Sequence, residues 1–164
     1  MSGIIAQNTL DNTGLIKAPE GGGAWTFIKK LTASSSADLS FVDGTSDVVL
    51  DSTYAEYMFY FVNIHPATDN SHFQVGFRDG GSAYDAVKTT TNFQAYHAEA
   101  DSAAALGYAT DEDLAQSTAF QILAYGEGNA NDENVAGYLH LFNPSSTTFV
   151  KHFIARFSNV NGGD

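Results

Sequence analysis

The 164-residue sequence contains no cysteine, so disulfide cross-links, thiolate metal sites and cysteine nucleophiles are all excluded. It also lacks an apolar run long enough for a membrane helix. Its beginning lacks the charged and then apolar pattern of a secretory signal. We therefore expect neither a membrane protein nor a secretory precursor, but one domain large enough to build its own core.

Basic residues are scarce. The chain has 7 Lys and Arg against 19 Asp and Glu, which gives a net charge of −12. Proteins that bind nucleic acid need Lys and Arg to neutralise phosphates, so this composition argues against a nucleic-acid partner. The single basic pair, Lys29-Lys30, is expected at a solvated strand edge.

Metal-binding motifs are also missing. The chain has no His-Glu-x-x-His and no pair of His two residues apart, although His140 and His152 could face each other across an Asn143-Pro144 turn. Asn129–Glu133 is rich in oxygen ligands but does not have EF-hand spacing. We therefore expect structural or interface roles for the histidines, and no metal or cofactor. The five are His65, His72, His97, His140 and His152.

No catalytic constellation is evident. Gly-x-Ser-x-Gly does not occur, and the acidic residues fall mainly in turns and loops, where solvation explains them. A pair of carboxylates of the glycosidase type stays open as a minor alternative. The sequence predicts a protein that is not an enzyme.

The densest apolar run is Asp51–Pro66. In an extended strand one face carries Tyr57, Phe59 and Phe61, and the other carries Met58, Tyr60 and Val62. Because both faces are apolar, this segment is predicted to be the central strand, covered on two sides. We expect the Tyr57 face to share a core with Phe73, Val75 and Phe77. The Met58 face would pack on an opposite layer or at a three-fold contact.

Further strands are predicted by alternation and turn residues. They are Ala24–Thr32, Leu39–Phe41, His72–Arg78, Phe93–His97, Phe120–Tyr125, Val135–Phe142 and Thr148–Phe157. Val48–Leu50 is expected to lead into the central strand. Two short helical turns are expected in loops, at Glu99–Leu106 and Asp111–Gln116. The sum is an all-β, antiparallel β-sandwich of jelly-roll type. Residues 1–23 are expected to form an N-terminal arm and residues 24–164 a single domain.

Several motifs occur in a fixed order. They are Trp25-x-Phe-Ile28, Leu39-Ser-Phe41, Asp51-Ser-Thr-Tyr-x-x-Tyr57, Asn63-Ile-His-Pro-Ala-Thr-Asp69 and Leu141-Phe-Asn-Pro-Ser-Ser146. With these motifs in this order, the chain resembles small virion structural proteins of tailed bacteriophages, of the marine and cyanophage type, and the resemblance spans Ala24–Phe157, most of the chain. Those proteins usually continue past the last hairpin, whereas this chain stops at Asp164, and Ala55 stands where they more often have Asp.

The resemblance implies a jelly-roll subunit, commonly trimeric, that decorates or cements a capsid or forms a fibre head. Its location would be the virion, and its partners would be copies of itself and other virion proteins such as the major capsid protein. Candidate oligomer or core contacts are Trp25, Tyr57, Tyr60, Phe142 and Phe153.

The alternative is a carbohydrate- or receptor-binding module that recognises a host surface glycan. Loop tyrosines would then stack on sugar rings. The candidates are Tyr84, Tyr96, Tyr108 and Tyr125.

Overall fold

A computed structural model describes residues 25–161. The chain divides into two units, Met1–Lys30 and Leu31–Asp164, and the strands found among the described residues lie in the second. The strands are β1 (Glu56–Ile64), β2 (Ser71–Val75), β3 (Phe93–His97), β4 (Ala104–Tyr108), β5 (Gln121–Glu127), β6 (Val135–Phe142) and β7 (His152–Asn159). The predicted arm, residues 1–23, falls outside the described residues. Within residues 25–161 there is no helix, and hence none that could cross a membrane.

The strand pairing confirms an all-β, antiparallel fold. Three sheets have the orders β1-β6-β7, β2-β5 and β3-β4. The pairs β1–β6, β2–β5 and β3–β4 are nested, so the chain from β1 to β6 is one long ribbon that doubles back between β3 and β4. An isolated bridge between Lys88 and Ser117 continues this ribbon between the second and third pairs.

β6, and not β1, is the central strand of the three-stranded sheet. The prediction for β1 is therefore wrong in position, although the segment is indeed a strand. β6 pairs on both sides, and it contributes Val135 and Leu139, the largest fully buried side chains in the described part of the chain. Apolar residues on both faces of β1 do not make it central, because one of these faces lies uncovered.

The core lies between the three-stranded sheet and β2. Phe61 meets Phe73 edge to face with ring centroids 5.1 Å apart, and Phe157 completes a triangle at 5.4 Å from Phe61 and 5.7 Å from Phe73. Phe77 packs on Phe153 at 5.2 Å. The expected core shared by the β1 aromatics and the Phe73 segment is thus confirmed for Phe61 and Phe73.

Two predicted strands are wrong: the described residues of Ala24–Thr32, together with Leu39–Phe41, form no strand. Local turns hold part of this stretch instead. Asp43 Oδ1 accepts a hydrogen bond of 2.8 Å from the Leu50 amide, and the Gly44 amide donates to the Val48 carbonyl. Alternation indicates a face that can be buried, but a strand also needs a neighbour with which to pair.

The helical turn predicted at Glu99–Leu106 is wrong, because the chain turns here and then forms β4. The Ala98 amide donates to the Ala103 carbonyl across the turn, and Asp101 takes a positive φ of 55°. The alanines that favoured a helix pair with β3, with Ala104 opposite His97. Pairing between strands overrides the modest helix propensity of alanine.

The helical turn predicted at Asp111–Gln116 is also wrong. Leu114 exchanges hydrogen bonds with Thr90: its amide donates to Thr90 Oγ1 at 2.9 Å, and its carbonyl accepts from the Thr90 amide. The buried Gln121 donates to the Glu112 carbonyl at 2.8 Å. These partners lie on other segments of the chain. Backbone groups that would form hydrogen bonds within a helix therefore form them with distant residues instead.

Candidate interaction surfaces

The three-stranded sheet has one face turned away from the aromatic core, and we call it the outer face. Tyr60 of β1, Tyr138 of β6 and Arg156 of β7 lie side by side across it, since they are paired in register. Tyr60 is 68% exposed, Val62 71% and Ile154 61%. Several large apolar side chains exposed on one face of a sheet make that face a candidate interaction site.

The predicted contact residues separate onto the two faces of this sheet. Tyr57 and Phe153 both pair with Leu141 on the inner face, where Tyr57 is buried. Tyr60 and Phe142 belong to the outer face, where Phe142 is half-buried. Tyr57 is therefore a core residue and Tyr60 a surface residue, although they lie three positions apart on one strand.

Trp25, the fifth predicted contact, lies in the first unit. It is outside any strand and mostly exposed.

Tyr57 is fixed by its hydroxyl, which donates a hydrogen bond of 2.9 Å to the Asp51 carbonyl. Burial raises the pKa of this phenol. The Asp51 side chain accepts a hydrogen bond of 2.7 Å from the Thr53 amide, and hydrogen bonds from Thr53 lower the pKa of the Asp51 carboxyl. The Asp-Ser-Thr-Tyr segment thus forms the turn that starts β1 and anchors Tyr57 in the core.

The histidines of the sheet do not pair as the sequence suggested. His152 lies opposite Phe142, and His140 lies opposite Ile154. The two histidines are therefore on the same outer face but two register positions apart, and do not face each other. His140 Nε2 is 3.1 Å from Glu56 Oε2, and its ring rests on Phe142 with centroids 4.0 Å apart. No group of three potential metal ligands occurs within residues 25–161.

The β3–β4 hairpin presents a second apolar surface. All five residues of each strand are exposed. Phe93 pairs with Tyr108 in an edge-to-face contact of 5.2 Å, and Leu106 lies on the same face, opposite Ala95. Phe93 is 70% exposed and Leu106 82%.

The base of this hairpin is tied to the rest of the domain. The Ala109 amide donates to the Asn92 carbonyl, and Tyr108 Oη donates to Asp113 Oδ2 at 2.5 Å. The hydrogen bond to Asp113 raises the pKa of Tyr108. The tip, in contrast, is acidic, with Glu99 and Asp101 both exposed and Asp101 Oδ1 3.2 Å from His97 Nε2.

Three of the four tyrosines proposed to stack on sugars already contact other aromatic rings. Tyr125 stacks on His72 with centroids 4.5 Å apart, Tyr84 meets Phe120 edge to face, and Tyr108 meets Phe93. Tyr96 is 53% exposed and lies on the hairpin face opposite Phe93 and Leu106. The sugar-stacking hypothesis therefore depends mainly on Tyr96.

A buried carboxyl group lies at the end of β5. Glu127 is 2% exposed, and its Oε1 accepts a hydrogen bond of 3.3 Å from the Phe73 amide. Burial raises its pKa to about 7, against 4.5 for an ordinary glutamic acid. Its neighbour Gly126 has a positive φ of 68°, and the Gly126 amide donates to His72 Nδ1 at 3.1 Å. A carboxyl group with such a pKa is expected to make the stability of the domain depend on pH.

Sequence reasoning missed the hairpin surface and Glu127. The hairpin carried a usable signal, because Ala104, Leu106 and Tyr108 alternate as a strand requires. Glu127 carried none, since a glutamate between two glycines is typical of an exposed turn.

Comparison with protein-family models, with curated proteins and with solved structures gives no significant match. The function must therefore be argued from the surfaces themselves.

Proposed function

We propose that this chain is a non-enzymatic structural subunit of a bacteriophage virion that works through contacts between copies of itself. One observation carries the proposal: the outer face and the hairpin together leave large apolar side chains exposed. They include Tyr60, Val62, Phe93, Leu106 and Ile154. Interfaces of obligate oligomers resemble a core divided between subunits, and these surfaces have that composition.

The energetics point the same way. Burying one large apolar side chain is worth about 1.5–3 kcal/mol, so two surfaces that together expose five such residues favour association. Few large side chains are fully buried inside the domain: among residues 25–161 the largest are Leu139 and Val135. A domain with this distribution gains stability when its outer surfaces are covered.

The finer fold assignment, a jelly roll, belongs to this proposal. A jelly roll is built from a long antiparallel ribbon that folds over into two sheets. The nested pairs β1–β6, β2–β5 and β3–β4 support it, as does the aromatic contact between the three-stranded sheet and β2.

The virion location and the trimeric state come from the motif resemblance. Within a virion the chain would act as a decoration, cement or fibre-type subunit, with the major capsid protein as a neighbour. Closed cyclic symmetry would cover exposed β surfaces without producing open-ended growth.

Sedimentation velocity of the purified chain tests the oligomeric claim. We expect a single species of about three times the 17.5 kDa chain mass. A monomer that persists at the highest soluble concentration contradicts the proposal. Immunogold labelling of purified particles with antibodies against the chain tests the location, and unlabelled intact and opened particles would count against it.

The receptor-binding alternative is tested separately on a glycan array. Its matched variant is Tyr96→Ala, with Tyr125→Ala as the control on a ring that already stacks on His72. Binding that is lost in the first variant and kept in the second would favour it.

A further inference from the structure

We propose that the β3–β4 hairpin of one copy docks, through its Phe93–Leu106–Tyr108 face, on the outer face of the three-stranded sheet of the next copy. The inference rests on the proposed function, because it requires self-association. It adds which two surfaces meet and predicts that they are different surfaces of the same chain.

The apolar face of the hairpin would be more stable if another layer of protein packed on it. A two-stranded hairpin alone is marginally stable at best in water, and here both strands are exposed along their whole length. Its one strongly apolar face carries Phe93, Leu106 and Tyr108. An additional layer over that face would bury these side chains and stabilise the strands.

The outer face has the dimensions to receive it. Each hairpin strand has five residues and is about 17 Å long, whereas β1 with nine residues is about 30 Å long. The hairpin is two strands wide, and the outer face is three. The hairpin therefore fits within the sheet without overhang, as one layer of β structure packed on another.

Charge complementarity favours a second copy as the occupant. The hairpin tip carries Glu99 and Asp101, in a chain whose net charge of −12 makes copies repel each other in general. The outer face carries Arg156, which is exposed and has no carboxylate within salt-bridge distance among residues 25–161. The carboxylate of this face, Glu56, lies four register positions away beside His140. The acidic tip of one copy can therefore meet the Arg156 end of this face on another copy, in a head-to-tail arrangement.

A contact between two different surfaces is heterologous, so it leaves a free hairpin at one end and a free face at the other. Repetition of the contact closes a ring when the rotation between neighbours divides a full turn. A trimer of this kind buries every hairpin and every outer face.

Two single variants and their mixture test this arrangement. Leu106→Asp places a charge in the hairpin face, and Ile154→Asp places one in the outer face. Val87→Asp is the matched control, an exposed apolar residue outside both surfaces. Circular dichroism and thermal unfolding check that each variant is folded, and sedimentation velocity reports its mass.

We expect each surface variant to be monomeric, with dissociation constants at least about thirtyfold higher than for the wild type, and the control to assemble normally. The mixture of the two variants should form a 1:1 dimer, because the intact hairpin of Ile154→Asp fits the intact face of Leu106→Asp. A ring cannot close from this pair.

Other outcomes overturn the proposal in distinguishable ways. If the wild type assembles and both variants assemble equally well, the docking is wrong but the structural role survives. If both variants are folded monomers and their mixture stays monomeric, the two surfaces do not bind each other. If the wild type itself is a monomer, the proposed function fails as well.

Discussion

Phe61 of β1 and Phe73 of β2 meet edge to face, with ring centroids 5.1 Å apart, although their strands belong to different sheets. Phe157 of β7 contacts both rings. Gly137 of β6 lies between Phe61 and Phe157 in the register. A Cβ atom at Gly137 would collide with the Phe157 ring and with the Arg156 carbonyl. The missing side chain thus makes room for the aromatic cluster.

Gly137→Ala is expected to destabilise the fold by about 1–3 kcal/mol, because the added methyl group overpacks the cluster and crowds a neighbouring backbone. Urea unfolding followed by circular dichroism measures this. Gly107→Ala is the matched control, a strand glycine with nothing within 4 Å of the added Cβ. Equal stability of the two variants would show that the cluster relaxes without cost.

Tyr57 and Tyr60 form a matched pair on opposite faces of β1. Tyr57→Phe removes the hydrogen bond to the Asp51 carbonyl and should reduce the free energy of unfolding by about 1 kcal/mol. Tyr60→Phe should leave it unchanged, since the Tyr60 side chain is 68% exposed. Chemical denaturation of a monomeric background, such as Ile154→Asp, separates folding from assembly. A loss in Tyr60→Phe equal to that in Tyr57→Phe contradicts the assignment of faces.

Glu127 predicts a pH dependence of stability. Its pKa is raised from 4.5 to about 7 in the folded state, so between these values the folded chain binds more protons than the unfolded chain. The contribution of Glu127 to the free energy of unfolding should therefore be fully present below pH 4.5. It should be lost as the pH rises through about 7. The total loss is about 2–3 kcal/mol.

Glu127→Gln should remove this dependence and stabilise the protein at pH 8, because the amide stays neutral. Unfolding curves at pH 5, 6, 7 and 8 give the free energy of unfolding of both proteins. The difference between the two at each pH is due to Glu127, because both proteins contain His72. A constant difference across the series would contradict the raised pKa.

The head-to-tail contact predicts a charge-swap rescue. Arg156→Glu should weaken association about tenfold, because it places like charges at the acidic hairpin tip. Glu99→Arg added to the same chain should restore part of the loss. Association constants from sedimentation at low and high salt measure both effects. A double variant no better than Arg156→Glu would indicate that the tip does not reach this position.

Local signals made part of the fold predictable. β1, β2, β3, β5, β6 and β7 were recognisable from their apolar patterns, and the last two also from the Asn143-Pro144 turn that precedes β7. β6 and β7 pair with each other, as two strands joined by a turn are expected to do. The all-β class follows from the same patterns.

The remaining features depend on partners that lie far away in the sequence. Leu39–Phe41 alternates as a strand should, but finds no strand to pair with among residues 25–161. The sequence also shows two apolar faces on β1 without indicating that Tyr57 is covered by the chain and Tyr60 is not. The same limit explains why Arg156 and Leu106 were not chosen as surface residues.

The bulge in β1 limits where a neighbouring chain could pair with this edge strand. Its pairing with β6 shifts between Phe61 and Ile64, and Asn63 takes a positive φ of 53°. A bulge increases the local twist and interrupts the regular row of amide and carbonyl groups on an edge strand. A neighbouring chain that pairs along β1 therefore meets a regular edge only from Glu56 to Phe61. The bulge thus works against amyloid-like extension of the sheet at this end of the β1 edge.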